Sequence, residues 1–380
     1  MTRRCATIAA AVGALALLAA PAQATRTADV QIGQVPAEVV FTDRANDQRD
    51  PTIFDQVERL LVNAEPGSTA MIALHSIGKD NRIVKALVQA RRNGVNLKIV
   101  YDKQDGRLGP VSADGVPGPK PTIVNCNPGA CLSGHPKAIM HAKFMLFTST
   151  KRRSSDASFT PNVTWISSAN MTKPTGTNAF NNAIAYFGDQ DLFNSLARVW
   201  NDMAAKVHVA DYFKAPGQGV FGSVAARTEG FVSPEKDGDL LLRVLRKVKP
   251  TRHGCEIRVM QTFITDARIR VARRLRALRR RHCKVSVLVN ENRKSHKIAM
   301  GEKVKRVIRG ERKLCCVHDK VVLIQGTYEG RPKSTVVVTG SHNMSGPANS
   351  RNDEVLVVVK DVPALYLTYV AHFHDGYGPP

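Results

Sequence analysis

Aromatic residues are scarce in this 380-residue chain. They make up 6% of it, with two tryptophans, so side chains suited to anchoring in a membrane interface are few. Acidic residues are short as well: 32 Asp and Glu stand against 55 Lys and Arg, a formal net charge of +23. That imbalance points to an anionic partner, such as nucleic acid, an anionic membrane surface or wall polymers, without choosing among them. Past the first two dozen residues no apolar run is long enough to cross a bilayer. No cluster of His, Cys, Asp or Glu has metal-ligand spacing, so no metal and no cofactor are expected.

What is present begins with an export signal. Arg3 and Arg4 precede an apolar run from Ile8 to Ala20, and Ala22-Gln23-Ala24 is a small-x-small cleavage site. Residues 1–24 therefore read as a signal peptide and the protein as secreted. Six cysteines remain after it, an even number that suits disulfides in an exported chain. Cys126 and Cys131 flank the turn Asn127-Pro128-Gly129, and Cys255 and Cys283 each open a predicted strand. Cys315 and Cys316 are adjacent, and their state is left open.

The chain repeats itself once. Thr69–Ile77 reads as a buried strand, 81–93 as a helix stopped by Gly94, and Leu97–Asp102 as the next strand. In the second half Glu256–Ile264 is the matching strand, Asp266 caps a helix to about Arg281, and Lys284–Asn290 follows as a strand. Strand, helix, strand at this spacing is a βαβ unit of a parallel sheet. Amphipathic helices over 53–63 and 240–248 precede the two units. The Gly-, Ser- and Pro-rich segment 216–235 reads as a linker, giving units at 25–215 and 236–380. The helix from Asp266 to Arg281 is arginine-rich around a stripe of Val271, Leu275 and Leu278; it is a solvated outer face or a docking patch for phosphates.

Both halves then present one constellation. His141-Ala142-Lys143 runs into the apolar strand Phe144–Phe147, and Ser168-Ala169-Asn170 ends the next strand. His318-Asp319-Lys320 runs into Val321–Ile324, and Ser341-His342-Asn343 ends the strand after it. Residues i and i+2 share a strand face, so each half offers an imidazole, an ammonium, a hydroxyl and a carboxamide to one side. That set suits phosphate chemistry: a nucleophile or proton donor, a fixed cation, and donors for phosphoryl oxygens. A further His135-Pro136-Lys137 has no apolar strand behind it and reads as a loop.

These paired motifs resemble the phospholipase D superfamily, and the resemblance covers nearly all of the chain after the signal. It implies an α/β fold: two similar α-β-α sandwich units forming a pseudo-dimer, with the active site at their interface. It implies a metal-independent phosphodiesterase in which one His attacks phosphorus, forming a phosphohistidine, and the other serves as acid and base. His141, Lys143, His318 and Lys320 are the implied catalytic residues, with Ser168, Asn170, Ser341 and Asn343 binding the phosphate. The family also uses an acid to orient a His; Glu354, in Asn352-Asp353-Glu354, is expected to serve His318, and an amide of the segment Asn178–Asn182 to serve His141. The motif aspartates are missing, replaced by Thr148 and Gln325, and Ser167 stands where the second copy has Gly340. Which His is the nucleophile stays open. Phospholipid head-group hydrolysis at an anionic membrane surface is the expected activity, with a secreted endonuclease and a non-catalytic anionic-polymer binder as alternatives, and a monomer as the expected state.

Overall fold

The computed structural model describes residues 26–43, 49–78, 81–103, 108–251, 254–292 and 299–378. The expected signal peptide lies outside the described residues. Among them, no helix is long and apolar enough to cross a membrane.

Two sheets form the molecule. The first contains β1 (Thr27–Ile32), β2 (Val35–Thr42), β3 (Thr69–Ser76), β4 (Asn96–Lys103), β5 (Thr122–Asn125), β6 (Lys143–Thr150), β7 (Thr160–Ser167) and β8 (Asn181–Tyr186). Its helices are α1 (Thr52–Val62), α2 (Asn81–Arg92), α3 (Gly109–Ser112) and α4 (Gln190–Ala205). The second sheet contains β9 (Val220–Ser223), β10 (Thr228–Ser233), β11 (Val248–Lys249), β12 (Cys255–Gln261), β13 (Cys283–Glu291), β14 (Arg312–Cys315), β15 (Lys320–Tyr328), β16 (Arg331–Gly340) and β17 (Glu354–Lys360). Its helices are α5 (Leu240–Arg246), α6 (Ile269–Arg280), α7 (Glu302–Ile308), α8 (Gly346–Ser350) and α9 (Pro363–Tyr377).

The strand orders are β1-β2-β8-β7-β6-β3-β4-β5 and β9-β10-β17-β16-β15-β12-β13-β14 when each is written from its hairpin edge. They are the same order, strand for strand. In each sheet only the β3-β4-β5 run, or its copy β12-β13-β14, is parallel; the other pairs are antiparallel. The duplication read from the motifs is thus a duplication of the whole topology.

This alignment corrects one boundary. The segment 216–235 is not a linker: β9 and β10 lie in it, and β10 pairs with β17 as β2 pairs with β8. Its glycines serve close packing. A Cβ on Gly230 would lie 2.1 Å from the Phe221 ring, and one on Gly219 would lie 2.1 Å from the Phe213 carbonyl oxygen. The second unit therefore opens with its own hairpin.

Alternation along the strands builds three cores. Met145 and Phe147 of β6 face a core shared with α1 and α2, while Phe144 and Leu146 face the other way. In β15, Val322 and Ile324 face the core under α5, α6 and α7, while Val321 and Leu323 face the opposite side. Those opposite faces, with Leu196 and Trp200 of α4 and Tyr369 and Phe373 of α9, merge into one apolar cluster drawn from both units. The units are joined by a common core, so burial of apolar area holds them together.

Asp266 does not cap the helix it precedes. It sits in a 3₁₀ turn, and its Oδ1 instead accepts from the Val304 amide in the first turn of α7. All three disulfides are formed: Cys126–Cys131, Cys255–Cys283 and Cys315–Cys316. The second ties the first residues of the neighbouring strands β12 and β13.

Candidate functional site

The site is built where the two sheets exchange short segments. The residues just before β6 reach into the second unit: the His141 amide donates to the Asp353 carbonyl (2.9 Å), and the Asp353 amide donates to the Ile139 carbonyl (3.0 Å). The residues just before β15 reach into the first: the His318 amide donates to the Phe180 carbonyl (3.0 Å), and the Phe180 amide donates to the Cys316 carbonyl (2.9 Å). Each His-x-Lys motif is therefore anchored by the opposite unit.

The side chains follow the same crossing. Nδ1 of His141 donates to Glu354 Oε2 at 2.8 Å, and Nδ1 of His318 donates to Asn181 Oδ1 at 2.9 Å. The expected pairing within a unit is thus reversed: Glu354 serves His141, and the amide serves His318. The cause is topological, because β17 begins beside the His141 segment and β8 beside the His318 segment. The orientation of Asn181 is set by its Nδ2, which donates to the Thr175 and Ala179 carbonyls at 2.8 and 3.1 Å. Its oxygen is left to accept from the histidine, so Nε2 is the free nitrogen of both imidazoles.

Ser168 and Ser341 take a different place from the one expected. Both are wholly buried. The Ser168 hydroxyl donates to Asn181 Oδ1 (3.2 Å) and the Ser341 hydroxyl to Glu354 Oε2 (2.5 Å). Each also accepts from an amide of the neighbouring strand, Asn182 or Val355, at 3.0 Å. They hold the orienting residues and do not face the open site. Asn170 and Asn343, two residues further along, are each 8% exposed, and each has a buried Oδ1 without a hydrogen-bond partner among the described residues. Glu354 Oε1 is buried and unpartnered too.

Lys143 and Lys320 are buried. The ammonium of each bonds the carbonyl of its own motif's histidine, and Lys320 also donates to Thr262 Oγ1 at 3.0 Å. Burial pulls Lys143 down to about 7 against the upward pull of Glu354 and Asp102, and it lowers Lys320 well below its ordinary value. Burial likewise lowers both histidines, and the lysines push them further down. Neutral imidazoles with free Nε2 lone pairs are nucleophiles and bases. Burial raises Glu354, opposed by Lys143.

Outer contacts fix this arrangement. The Asp353 carboxylate accepts from the amides of Cys131, Leu132 and Ser133 at 2.8, 2.9 and 3.0 Å, at the start of the 131–139 loop that the Cys126–Cys131 bond anchors. Asp319, inside the second motif, bonds Asn182 of the first unit and His372 of α9 (2.9 Å). His135 and Lys137 lie in the exposed stretch of that 131–139 loop, outside the cluster. Thr148 and Gln325 sit five residues along their strands from the lysines, roughly 16 Å from the site. Thr148 Oγ1 accepts from the Thr69 amide and Gln325 is exposed, so the missing aspartates remove nothing from the centre.

Sequence reasoning passed over His75 and Asp102. They stand at the carboxyl ends of the adjacent parallel strands β3 and β4, a position that favours ligand sites in such sheets. His75 Nδ1 lies 3.1 Å from Asp102 Oδ2, and the His75 and His141 rings are 4.8 Å apart. A histidine directly after the apolar run Met71–Leu74 was the available signal.

The comparisons agree with this architecture. A family model described as cardiolipin synthase, phospholipase D-like domain, matches residues 58–202 and again 246–375. No curated protein matches the chain in sequence. The structure of phosphatidylserine synthase from Haemophilus influenzae is similar, with 10% identity, a TM-score of 0.56, and coverage of 92% of this chain and 87% of that one. Polyphosphate kinase from Porphyromonas gingivalis gives 11% identity, a TM-score of 0.52, and coverage of 87% of this chain and 48% of that one. This chain thus spans about half the length of that kinase. A yeast tyrosyl-DNA phosphodiesterase gives 13% identity and a TM-score of 0.46, covering 84% of this chain and 90% of that one. For the synthase and the kinase, at these identities, the likeness is one of fold.

Proposed function

The chain belongs to the phospholipase D superfamily, and from that premise we propose that it is a secreted phosphodiesterase that hydrolyses phospholipid head groups through a phosphohistidine on His141. The observation that carries the assignment of roles is the unequal partnering of the two histidines. Glu354 carries charge that can balance a developing cation on His141, whereas Asn181 offers His318 only a neutral oxygen. His141 is then the better nucleophile, and His318 exchanges protons more readily.

In the first step the lone pair of His141 Nε2 forms a bond to phosphorus, and the bond from phosphorus to the leaving oxygen breaks. His318, which takes up a proton from solvent on Nε2 as the diester binds, gives that proton to the leaving oxygen. The anionic diester supplies the negative charge that lets His318 hold this proton between the two lysines. In the second step His318 takes a proton from water, the water oxygen bonds to phosphorus, and the bond to His141 breaks. Lys143, Lys320, Asn170 and Asn343 surround the phosphoryl oxygens; the amides turn their Nδ2 groups toward them, an orientation open to Asn343 and, by rotation, to Asn170.

Lipid is favoured by the apolar residues beside the site. Ile139, 36% exposed, lies two residues from His141, and Phe263, 44% exposed, follows the Thr262 that bonds Lys320. The names of the matching family model and of the phosphatidylserine synthase neighbour point the same way. Three disulfides support export. A nuclease is the second reading, favoured by exposed Arg270, Arg273 and Arg280 on α6 with Lys303, Lys305 and Arg306 on α7. Those helices cover the core on the outer side of the second sheet. The test is to incubate the protein with phospholipid vesicles and with plasmid DNA in parallel. Release of choline, ethanolamine or serine, absent in His318→Ala, supports the lipid reading. Cleavage of DNA at low salt with no head-group release from any phospholipid overturns it.

A further inference from the structure

The two halves of the centre are near copies, and one departure from symmetry lies beside His141. Register places Leu74 against Lys143 in the first sheet and Gln261 against Lys320 in the second. His75 therefore stands where the second unit has Thr262. The parallel pairs Leu74–Tyr101 and Gln261–Val289 likewise make Asp102 the counterpart of Asn290. A hydroxyl and an amide in one unit are replaced by an imidazole and a carboxylate in the other, beside His141.

The His75 ring is held in one orientation. Its Nδ1 faces two acceptors, Asp102 Oδ2 at 3.1 Å and the Met140 carbonyl at 3.0 Å. Nδ1 therefore carries a proton. Asp102 is 3% exposed, whereas the His75 side chain keeps 14%. Among the described residues Nε2 has no hydrogen-bond partner, and the ring lies 4.8 Å from that of His141, tilted by 56°. This is a half-buried histidine paired with a buried carboxylate beside His141, with no task in the two-step scheme.

Resting on the phosphohistidine reading above, we propose that His75 is a third histidine of the centre, whose Nε2 donates to a phosphoryl oxygen as phosphorus is transferred to His141. In an in-line displacement the leaving group and the incoming water use the face opposite the attacking nitrogen. His75 lies against His141, on the attacking side, so it reaches neither of them. Within its reach are the oxygens that carry charge as the phosphohistidine forms, where a fixed donor acts most strongly. Asp102 and the Met140 carbonyl hold Nδ1, which leaves Nε2 as the nitrogen that can meet the phosphoryl group. The first unit thus gives the transferred phosphoryl group an additional donor that the second unit does not provide around His318.

Two amide substitutions divide the ring's nitrogens. In His75→Asn the amide nitrogen stands near the Nδ1 position and keeps the bonds to Asp102 and Met140, but nothing replaces Nε2. In His75→Gln the amide reaches the Nε2 position. With bis(p-nitrophenyl) phosphate and the full chain, His75→Asn is expected to lose roughly 10²–10³-fold in kcat, the loss typical of one donor to a developing anion. KM and the unfolding temperature should change little, and His75→Gln should turn over several times faster than His75→Asn. A His75→Asn enzyme as fast as wild type, or no slower than His75→Gln, overturns the proposal. His141→Ala separates this idea from its premise. If His141→Ala keeps wild-type turnover, the phosphohistidine reading fails and His75 with it; a dead His141→Ala beside an unimpaired His75→Asn overturns the role of His75 alone.

Discussion

Glu354 and His141 stand 213 residues apart in sequence and 2.8 Å apart in space, one at the start of β17 and the other just before β6. The mirror contact, His318 to Asn181 at 2.9 Å, spans 137 residues. Neither unit holds a complete histidine with its partner, so the centre exists only when the shared core between the sheets has formed. A cleft between separately folding domains would not need this exchange; two copies sharing one core do.

The crossing makes Glu354 the first residue to test. Glu354→Gln keeps the shape and the acceptor for His141 and Ser341 but removes the charge. It is expected to lower kcat roughly 10–10³-fold, by comparison with other histidine-orienting acids. Burial makes the charge of this carboxylate costly to the folded state, so the unfolding temperature should hold or rise. Asn181→Gln, which displaces the oxygen from His318 without altering charge, should instead disturb the release step. Wild-type kinetics in Glu354→Gln would remove the residue from the site.

Much of this was legible in the chain and some was not. The βαβ cores were readable because alternation and helical spacing are local, and Gly94 marks the turn after α2 at φ +85. The paired motifs were readable because two copies share one order of residue types. The hairpins β1–β2 and β9–β10 were not: β1 and β9 are edge strands, and the glycines of 216–235 mimic a linker. The capping role of Asp266 was assigned to the wrong helix, since the acceptor it supplies goes to α7, packed alongside. The partner of each histidine was assigned within its own unit. Nothing in sequence order distinguishes that from the exchanged arrangement, which tertiary packing decides. Ser168 and Ser341 carry the residue type of a phosphate ligand, but strand geometry turns both hydroxyls inward.

His141→Ala and His318→Ala should each abolish turnover, and the double variant should be hardly worse than either. The two act in sequence on one phosphoryl group, so their losses are not additive. With a substrate whose leaving group needs no proton, His318→Ala should still form the covalent intermediate but hydrolyse it slowly. Mass spectrometry of the quenched enzyme would then find the phosphoryl group, still esterified to its remaining alcohol, on the peptide bearing His141. The same adduct on a peptide bearing His318 in the reciprocal variant, and none on His141, would reverse the roles.

Turnover should persist in excess EDTA. Among the described residues no group of three or more His, Cys, Asp or Glu is arranged to hold a metal ion. Lys143 and Lys320 occupy the positions from which a cation would neutralise the phosphoryl oxygens. Loss of activity on chelation that zinc or calcium reverses would sink this expectation.

The rate should also fall on the alkaline side, through Lys143. Burial lowers its ammonium to about 7, so the free enzyme loses that charge as pH rises through this value. Since kcat/KM reports groups of the free enzyme, its alkaline limb should have a midpoint near 7, and kcat should extend further because bound phosphate holds the proton on. Stability should move the opposite way. Between about 7 and the ordinary lysine value of 10.5 the unfolded chain binds a proton at this residue and the native protein does not, so stability rises with pH across that window. Below it the native state must keep a buried ammonium charged, and the contribution is lost. Lys143→Met removes the titrating group and should flatten this part of the stability profile while nearly abolishing turnover. A Lys143→Met variant with the wild-type slope of stability between these two pH values would show that another buried group is responsible.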